Sequence, residues 1–136
     1  NTAPEIIVPD ISGEEKNLRE LVAKNKLTVL FFWSSHCNFC HKAIPGLAEI
    51  YSIYHSQGLE VVAFSLDENK EDWKKYIAEN KLNWINICDL KGWKGEPVLK
   101  YKIHKTPSFY ILDKQMIIFS KPGTVEDLRR EVEKYF

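Results

Sequence analysis

The sequence predicts an α/β domain, a central mixed β-sheet with helices on both faces. Three observations carry that reading. Two nearly continuous apolar runs, "LTVLFFW" at 27–33 and "LEVVAFS" at 59–65, have the composition of strands buried on both faces. Each is followed by a stretch whose apolar residues recur at helical spacing, so the early part of the chain reads as βαβ crossovers with parallel strands. Near the end, "PSFYILD" and "QMIIFSK" lie only a few residues apart and are expected to pair as a hairpin, which makes the sheet mixed.

Taken in order, "APEIIVPDISG" is an extended lead-in broken by Pro4, Pro9 and Gly13. "EEKNLRELVAKNK" puts Leu18, Leu21 and Val22 on one side of a short helix. After the 27–33 strand a helix begins at Cys40, with Ile44, Leu47, Ala48, Tyr51 and Tyr54 on one face. Pro45 sits inside it, where it removes an amide and is expected to kink the axis. Gly58 ends that helix. "DENKEDWKKYIAENK" reads as an amphipathic helix with Trp73, Tyr76 and Ile77 inward, and Trp84 to Cys88 as a short strand. "GWKGEPVLKYKI" holds a glycine-bounded turn and a short helix from Pro97. Met116 falls within the second strand of the hairpin. Thr124 is the expected N-cap of a last helix, with Glu126 and Asp127 in its first turn and Leu128, Val132 and Phe136 as its apolar stripe. The charges of this helix and of "EDWKKYIAENK" read as solvated faces with pairs inside each helix.

Composition bounds the function. The 136 residues amount to a single domain, 1–136, and 44% hydrophobic with 12% aromatic content suffices for a core without disulfide staples. Nineteen basic side chains balance nineteen acidic ones, so no global field draws in nucleic acid or an anionic membrane. The longest apolar runs are strand-sized, too short to span a bilayer. "NTAPEIIVPD" is not a signal peptide, and a start at Asn1 fits a processed product or an excised domain. Three cysteines suit a working pair and a spare better than a disulfide framework. Cys88, in the apolar context "WINICD", is the spare, expected to be a buried, inert thiol.

The working pair lies in "HCNFCH", residues 36–41. Cys37-x-x-Cys40-His41 has the form of a haem attachment site. His36, Cys37, Cys40 and His41 are also soft and borderline ligands for zinc or copper, and Cys-x-x-Cys is the minimal dithiol redox centre. Haem needs an apolar cleft and, as a rule, a second axial ligand, which this context does not offer. A metal needs ligands that surround it; residues on one tight turn do so only with outside help, for which His104 is the candidate. For redox chemistry the setting is favourable. The pair sits between a buried strand and a helix N-terminus, where free backbone N–H groups and the helix dipole stabilise a thiolate. Cys37 is expected to be the exposed attacker and Cys40, one turn in, the resolving thiol. Thr106-Pro107 stands directly before a strand, a position suited to a cis peptide bond.

Together these features resemble the thioredoxin superfamily and, within it, the extracytoplasmic TlpA/ResA-like thiol-disulfide oxidoreductases, over nearly the whole chain. "FFWSSHCNFC" matches the strand-Trp-x-x-x-Cys-x-x-Cys of that family, Pro45 its helix-kinking proline, and Thr106-Pro107 its cis-proline loop. The units around 67–100 are similar to the TlpA-like central insertion, and residues 3–26 to the N-terminal strand pair. There are departures. Asn38-Phe39 stands where thioredoxin has Gly-Pro, and His36 replaces the tryptophan usual before the first cysteine. Phe31 occupies the place of the buried aspartate of thioredoxin, and Ala43 that of a ResA-like glutamate. Both usual proton-transfer groups are therefore missing, and His36, His41 or a water is left to serve.

The resemblance implies reduction of protein disulfides, with Cys37 and Cys40 catalytic and no cofactor or metal beyond their own redox-active disulfide. It implies that Thr106 and Pro107 present backbone to an extended substrate, with Trp33 and Phe39 as apolar contacts, His36 and His41 as groups tuning the thiols, and Pro45 as a shaping residue. The implied partners are protein disulfides and a thiol electron donor, not nucleic acid. The implied setting is the bacterial periplasm or envelope, as a monomer or as one domain of a longer or membrane-anchored protein. Three other readings stay in play. A copper- or zinc-binding module would use His36, Cys37, Cys40 and His41. A thiol peroxidase would share the fold, but Leu30 and Ser34 stand where its Pro-x-x-x-Thr-x-x-Cys run has proline and threonine. A non-catalytic binding domain has an intact Cys-x-x-Cys to explain.

Overall fold

A computed structural model describes all residues, 1–136. The elements in chain order are β1 (Ile7–Pro9), β2 (Glu15–Asn17), α1 (Leu18–Ala23), β3 (Leu27–Trp33), α2 (Asn38–Tyr54), β4 (Leu59–Ser65), α3 (Lys70–Asn80), β5 (Ile85–Cys88), α4 (Glu96–Lys100), β6 (Ser108–Leu112), β7 (Ile118–Ser120) and α5 (Val125–Tyr135). β3 to β7 form one sheet in the order β5-β4-β3-β6-β7; β1 and β2 pair separately. β3 is parallel to β4, and β4 to β5, whereas β6 is antiparallel to both β3 and β7. This is the mixed sheet the apolar runs and the late hairpin predict.

Strand alternation divides the core in two. Leu27, Val29, Phe31 and Trp33 of β3, with Leu59, Val61 and Ala63 of β4, face a layer containing Ile44 and Leu47 of α2 and Leu128 and Val132 of α5. Leu30 and Phe32, with Val62 and Phe64, face the opposite layer of Ala3, Ile6, Val8, Leu18, Val22 and Tyr101. All seven β3 residues are buried, which is why that strand reads as a continuous apolar run.

The lead-in is more than an extended approach. The Ile118 amide donates to the Asn1 carbonyl and the Ala3 amide to that of Met116, so the first residues pair at β7. Thr2 bridges Ile117 there, and Asp10 bridges Ile87 of β5. The Tyr101 hydroxyl donates to the Pro4 carbonyl between these two ends. A single strap thus reaches both edges of the sheet.

Some boundaries differ from expectation. β5 begins at Ile85 rather than Trp84, and α4 at Glu96 with Pro97 in its first turn. Met116 is not in a strand: it is buried in the β6–β7 turn with φ of 66°, and β7 begins only at Ile118. α2 runs unbroken through Pro45, whose ring removes the amide that would bond the His41 carbonyl. α5 is capped as expected, the Thr124 side chain accepting from the Asp127 amide at 3.1 Å. No ion pair lies within α3, where Asp72 instead reaches His36; intrahelical pairs occur in α5, Arg130 with Asp127, and in α4, Lys100 with Glu96. No helix is long and apolar enough to cross a membrane.

Candidate active site

Cys37 and Cys40 form a disulfide across the first turn of α2, with Cα atoms 5.2 Å apart. The helix starts at Asn38, so Cys37 itself is the N-cap. Its sulfur takes the role an oxygen usually has there, accepting the Cys40 amide at 3.1 Å. That N–H and the positive end of a 17-residue helix favour a negatively charged sulfur at this position in the reduced form. Cys37 is half-buried and Cys40 fully buried, in the layer with Phe31 and Trp33.

Sheet register brings the second half of the site to the first. β6 is antiparallel to β3 with Ser108 opposite Phe32, so the residues just before β6 arrive beside the end of β3. The Thr106-Pro107 peptide is cis, and the Thr106 carbonyl oxygen lies 3.5 Å from the Cys37 sulfur. A cavity of about 460 Å³ opens alongside, lined by Phe39, Ala43, Thr106, Pro107, Phe109 and the start of α5 among others. Phe39 is 71% exposed on its rim.

Other predicted residues lie differently. Trp33 is fully buried, stacked on Phe31 and tilted against Tyr76, so its side chain is a core group and not a substrate contact. A tryptophan at the end of a strand buried on both faces has no route to the surface. His36 and His41 are both turned to other partners. His36 Nε2 is 2.8 Å from an Asp72 oxygen on α3. His41 Nε2 is 2.7 Å from the Ser35 carbonyl, an acceptor only, so that nitrogen carries the proton. The His41 ring stacks on Tyr76 at 4.7 Å, and burial pushes the Tyr76 hydroxyl up. With both imidazoles so engaged, His36, Cys37, Cys40 and His41 do not converge on a common point, and exposed His104 joins no such group. No group of three or more His, Cys, Asp or Glu side chains is arranged to hold a metal ion.

Phe31, in the place of the thioredoxin aspartate, stacks on Phe109 at 5.3 Å and meets Trp84 edge-on. Cys40 lies in the layer that holds Phe31, Trp33, Trp84 and Phe109. Cys88 is buried 3% exposed, and burial pushes its thiol up to about 11, the chemistry of a spare thiol.

Sequence reading missed Asp67. This buried carboxylate accepts the Ser35 amide at 3.1 and 3.2 Å, the Ser35 hydroxyl at 2.7 Å and the Ser65 hydroxyl at 2.5 Å. It pins the loop that leads into Cys37. The reason is register: Trp33 lies opposite Ser65, so residues two beyond each strand end meet. That signal appears only once the parallel pairing is known.

Comparison with known proteins agrees with this geometry. The model of the AhpC/TSA family matches residues 1–121. The thiol-disulfide oxidoreductase ResA of Geobacillus kaustophilus is 28% identical over 137 residues, covering 98% of this chain and 75% of the relative. The sporulation thiol-disulfide oxidoreductase A of Bacillus subtilis is 27% identical over 134 residues, covering 94% and 78%. Among solved structures, the thioredoxin domain of a thiol-disulfide oxidoreductase from Bacteroides vulgatus superposes with a TM-score of 0.89 at 30% identity, covering 99% of this chain and 95% of that one. A Bacteroides fragilis thiol-disulfide oxidoreductase, at 24% identity and full coverage of both chains, gives 0.92 and supports the thioredoxin-like fold.

Proposed function

Because the chain belongs to the AhpC/TSA family, we propose that it works as a thiol-disulfide oxidoreductase of the ResA-like branch, reducing disulfides in protein substrates through Cys37 and Cys40. One observation carries the reading: the sulfur of half-buried Cys37 caps α2 beside the Thr106 carbonyl, with Cys40 fully buried behind it.

In the reduced protein the Cys37 thiolate attacks one sulfur of a substrate disulfide. A mixed disulfide forms, and the other substrate sulfur leaves as a thiolate that takes up a proton. Cys40 then gives up its proton and attacks the Cys37 sulfur, forming the Cys37–Cys40 disulfide and releasing the second substrate thiol. Two electrons have moved to the substrate, and an external dithiol donor restores the reduced pair. The Thr106–Pro107 edge supplies backbone for an extended substrate segment, as in strand addition, with Phe39 as an apolar contact. Family membership does not by itself choose disulfide over peroxide as oxidant. The residues before Cys37 do, since Leu30 and Ser34 replace the proline and threonine of a peroxidatic run.

Residues 1–136 act in this reading as one thioredoxin-like domain, monomeric, placed outside the cytoplasm in the bacterial periplasm or envelope. The support for that location is the resemblance to extracytoplasmic TlpA/ResA-like proteins.

Cys37→Ser is expected to abolish turnover and Cys40→Ser to accumulate a mixed disulfide with substrate, seen as a mass shift reversed by dithiothreitol. A Cys40→Ser protein that traps nothing while turnover persists would sink the division of roles. Titration against thiol redox buffers tests direction. A potential near about −270 mV fits a reductant, and one near roughly −120 to −180 mV an oxidant or isomerase.

A further inference from the structure

The charge of the whole chain is balanced, but the charge around the disulfide is not. The cavity beside Phe39 and Pro107 is lined by Lys42, Lys105 and Glu126. It continues past Lys105, Pro107 and Gly123 into a second hollow lined by Tyr110 and Lys121. Together they make one furrow lined by three lysines and one glutamate; the Asp127 carboxylate beside Gly123 is already paired with Arg130. None of the ion pairs in the chain involves Lys42, Lys105, Lys121 or Glu126. Two of these cations rest on aromatic rings: the Lys42 Nζ lies 5.8 Å from the centre of Phe39, and the Lys121 Nζ 5.4 Å from that of Tyr110. The stems cover apolar surface and the ammonium groups stay free of carboxylates. On the other side of the cysteines the charges are mixed: the hollow there is lined by Asp72, Lys75 and Glu79, with Asp72 already on His36. The excess of lysines thus lies on the side where Thr106 and Pro107 present backbone.

We infer that the furrow selects protein disulfides flanked by acidic residues, the Asp or Glu side chains of an extended substrate segment lying against Lys42, Lys105 and Lys121. This rests on the reading of the site as one that reduces protein disulfides. Successive side chains of an extended segment point to opposite sides, so alternate residues near the reacting cysteine turn toward the furrow. Exposed charge pairs of this kind add little affinity each, but they speed encounter and reject segments of the wrong sign.

The experiment uses reduced protein and three disulfide-linked peptides alike except for the residues flanking the cysteine, which are Glu, Gln or Lys. The expected order of kcat/KM at low salt is Glu, then Gln, then Lys, with about a tenfold span that contracts as salt screens the charges. K105E/K121E should reverse the order. K24E/K114E, the same change of net charge at the opposite end of the sheet, before β3 and after β6, should leave it intact. Equal rates for the three peptides, or an order untouched by K105E/K121E, would overturn the selection while leaving disulfide reduction standing. Reduction of none of the peptides would overturn both.

Discussion

At the scale of single residues, two groups show how burial sets chemistry. Cys88 has its thiol pushed up to about 11 by burial, which keeps it protonated and out of exchange with the Cys37–Cys40 pair. Glu60, on β4 below α2, has its carboxyl pushed up by burial, while the Val61 amide, His55 and the Tyr51 hydroxyl pull it back. A raised carboxyl holds a proton the unfolded chain has released. Stability therefore falls as pH climbs from the ordinary value of 4.5 through the folded value, and stays lower above it. Glu60→Gln keeps the amide-accepting oxygen and removes the buried charge. It is expected to melt above the parent protein at pH 7, with the advantage vanishing below about pH 4 in a thermal unfolding series. An equal advantage at both pH values would show that charge burial is not the cause.

At the scale of elements, the site depends on where strands end. The loop from Ser34 to His36 has no regular structure of its own and is held by Asp67 from the end of the neighbouring strand. Asp67→Ala leaves the Ser35 amide and two hydroxyls without their acceptor in a buried place. A loss of roughly 1–3 kcal/mol is expected for the unpaired amide alone, measured by denaturant unfolding, together with faster hydrogen exchange at Ser35. Unchanged exchange there would mean the loop is held by other means. The β-strands and α5 were legible because apolar runs, the Thr124 cap and a four-residue stripe are local signals. Cys37 and Cys40 were legible because dithiol chemistry sets their spacing, and Thr106-Pro107 because it stands directly before a strand, where a cis bond is suited. Asp67 was not, since its partner lies 32 residues away and only sheet register joins them. Trp33, expected as an apolar contact by its nearness to Cys37, is instead a core group because β3 is buried on both faces to its last residue. Met116 lost its strand to a left-handed turn that an apolar string conceals.

At the scale of the molecule, the apolar material lies in two layers, one on each face of a five-stranded sheet, and the Cys37–Cys40 pair belongs to only one of them. The other is closed by the N-terminal strap, with Ala3, Ile6 and Val8 buried in it. Removing residues 1–10 is expected to lower the melting temperature and to make sedimentation depend on concentration; a truncated chain that stays monomeric and equally stable would contradict this. The reason reaches past lost packing. The strap touches the two outermost strands at once, through Ile87 on one side and Ile117 and Ile118 on the other. Those strands present different edges, so a molecule without the strap offers two unlike sticky ends, and the β5 end of one copy can join the β7 end of the next. Such a joint does not close on itself as a symmetric pair does; it propagates. The opening residues thus act as a chain terminator for growth of the sheet from molecule to molecule.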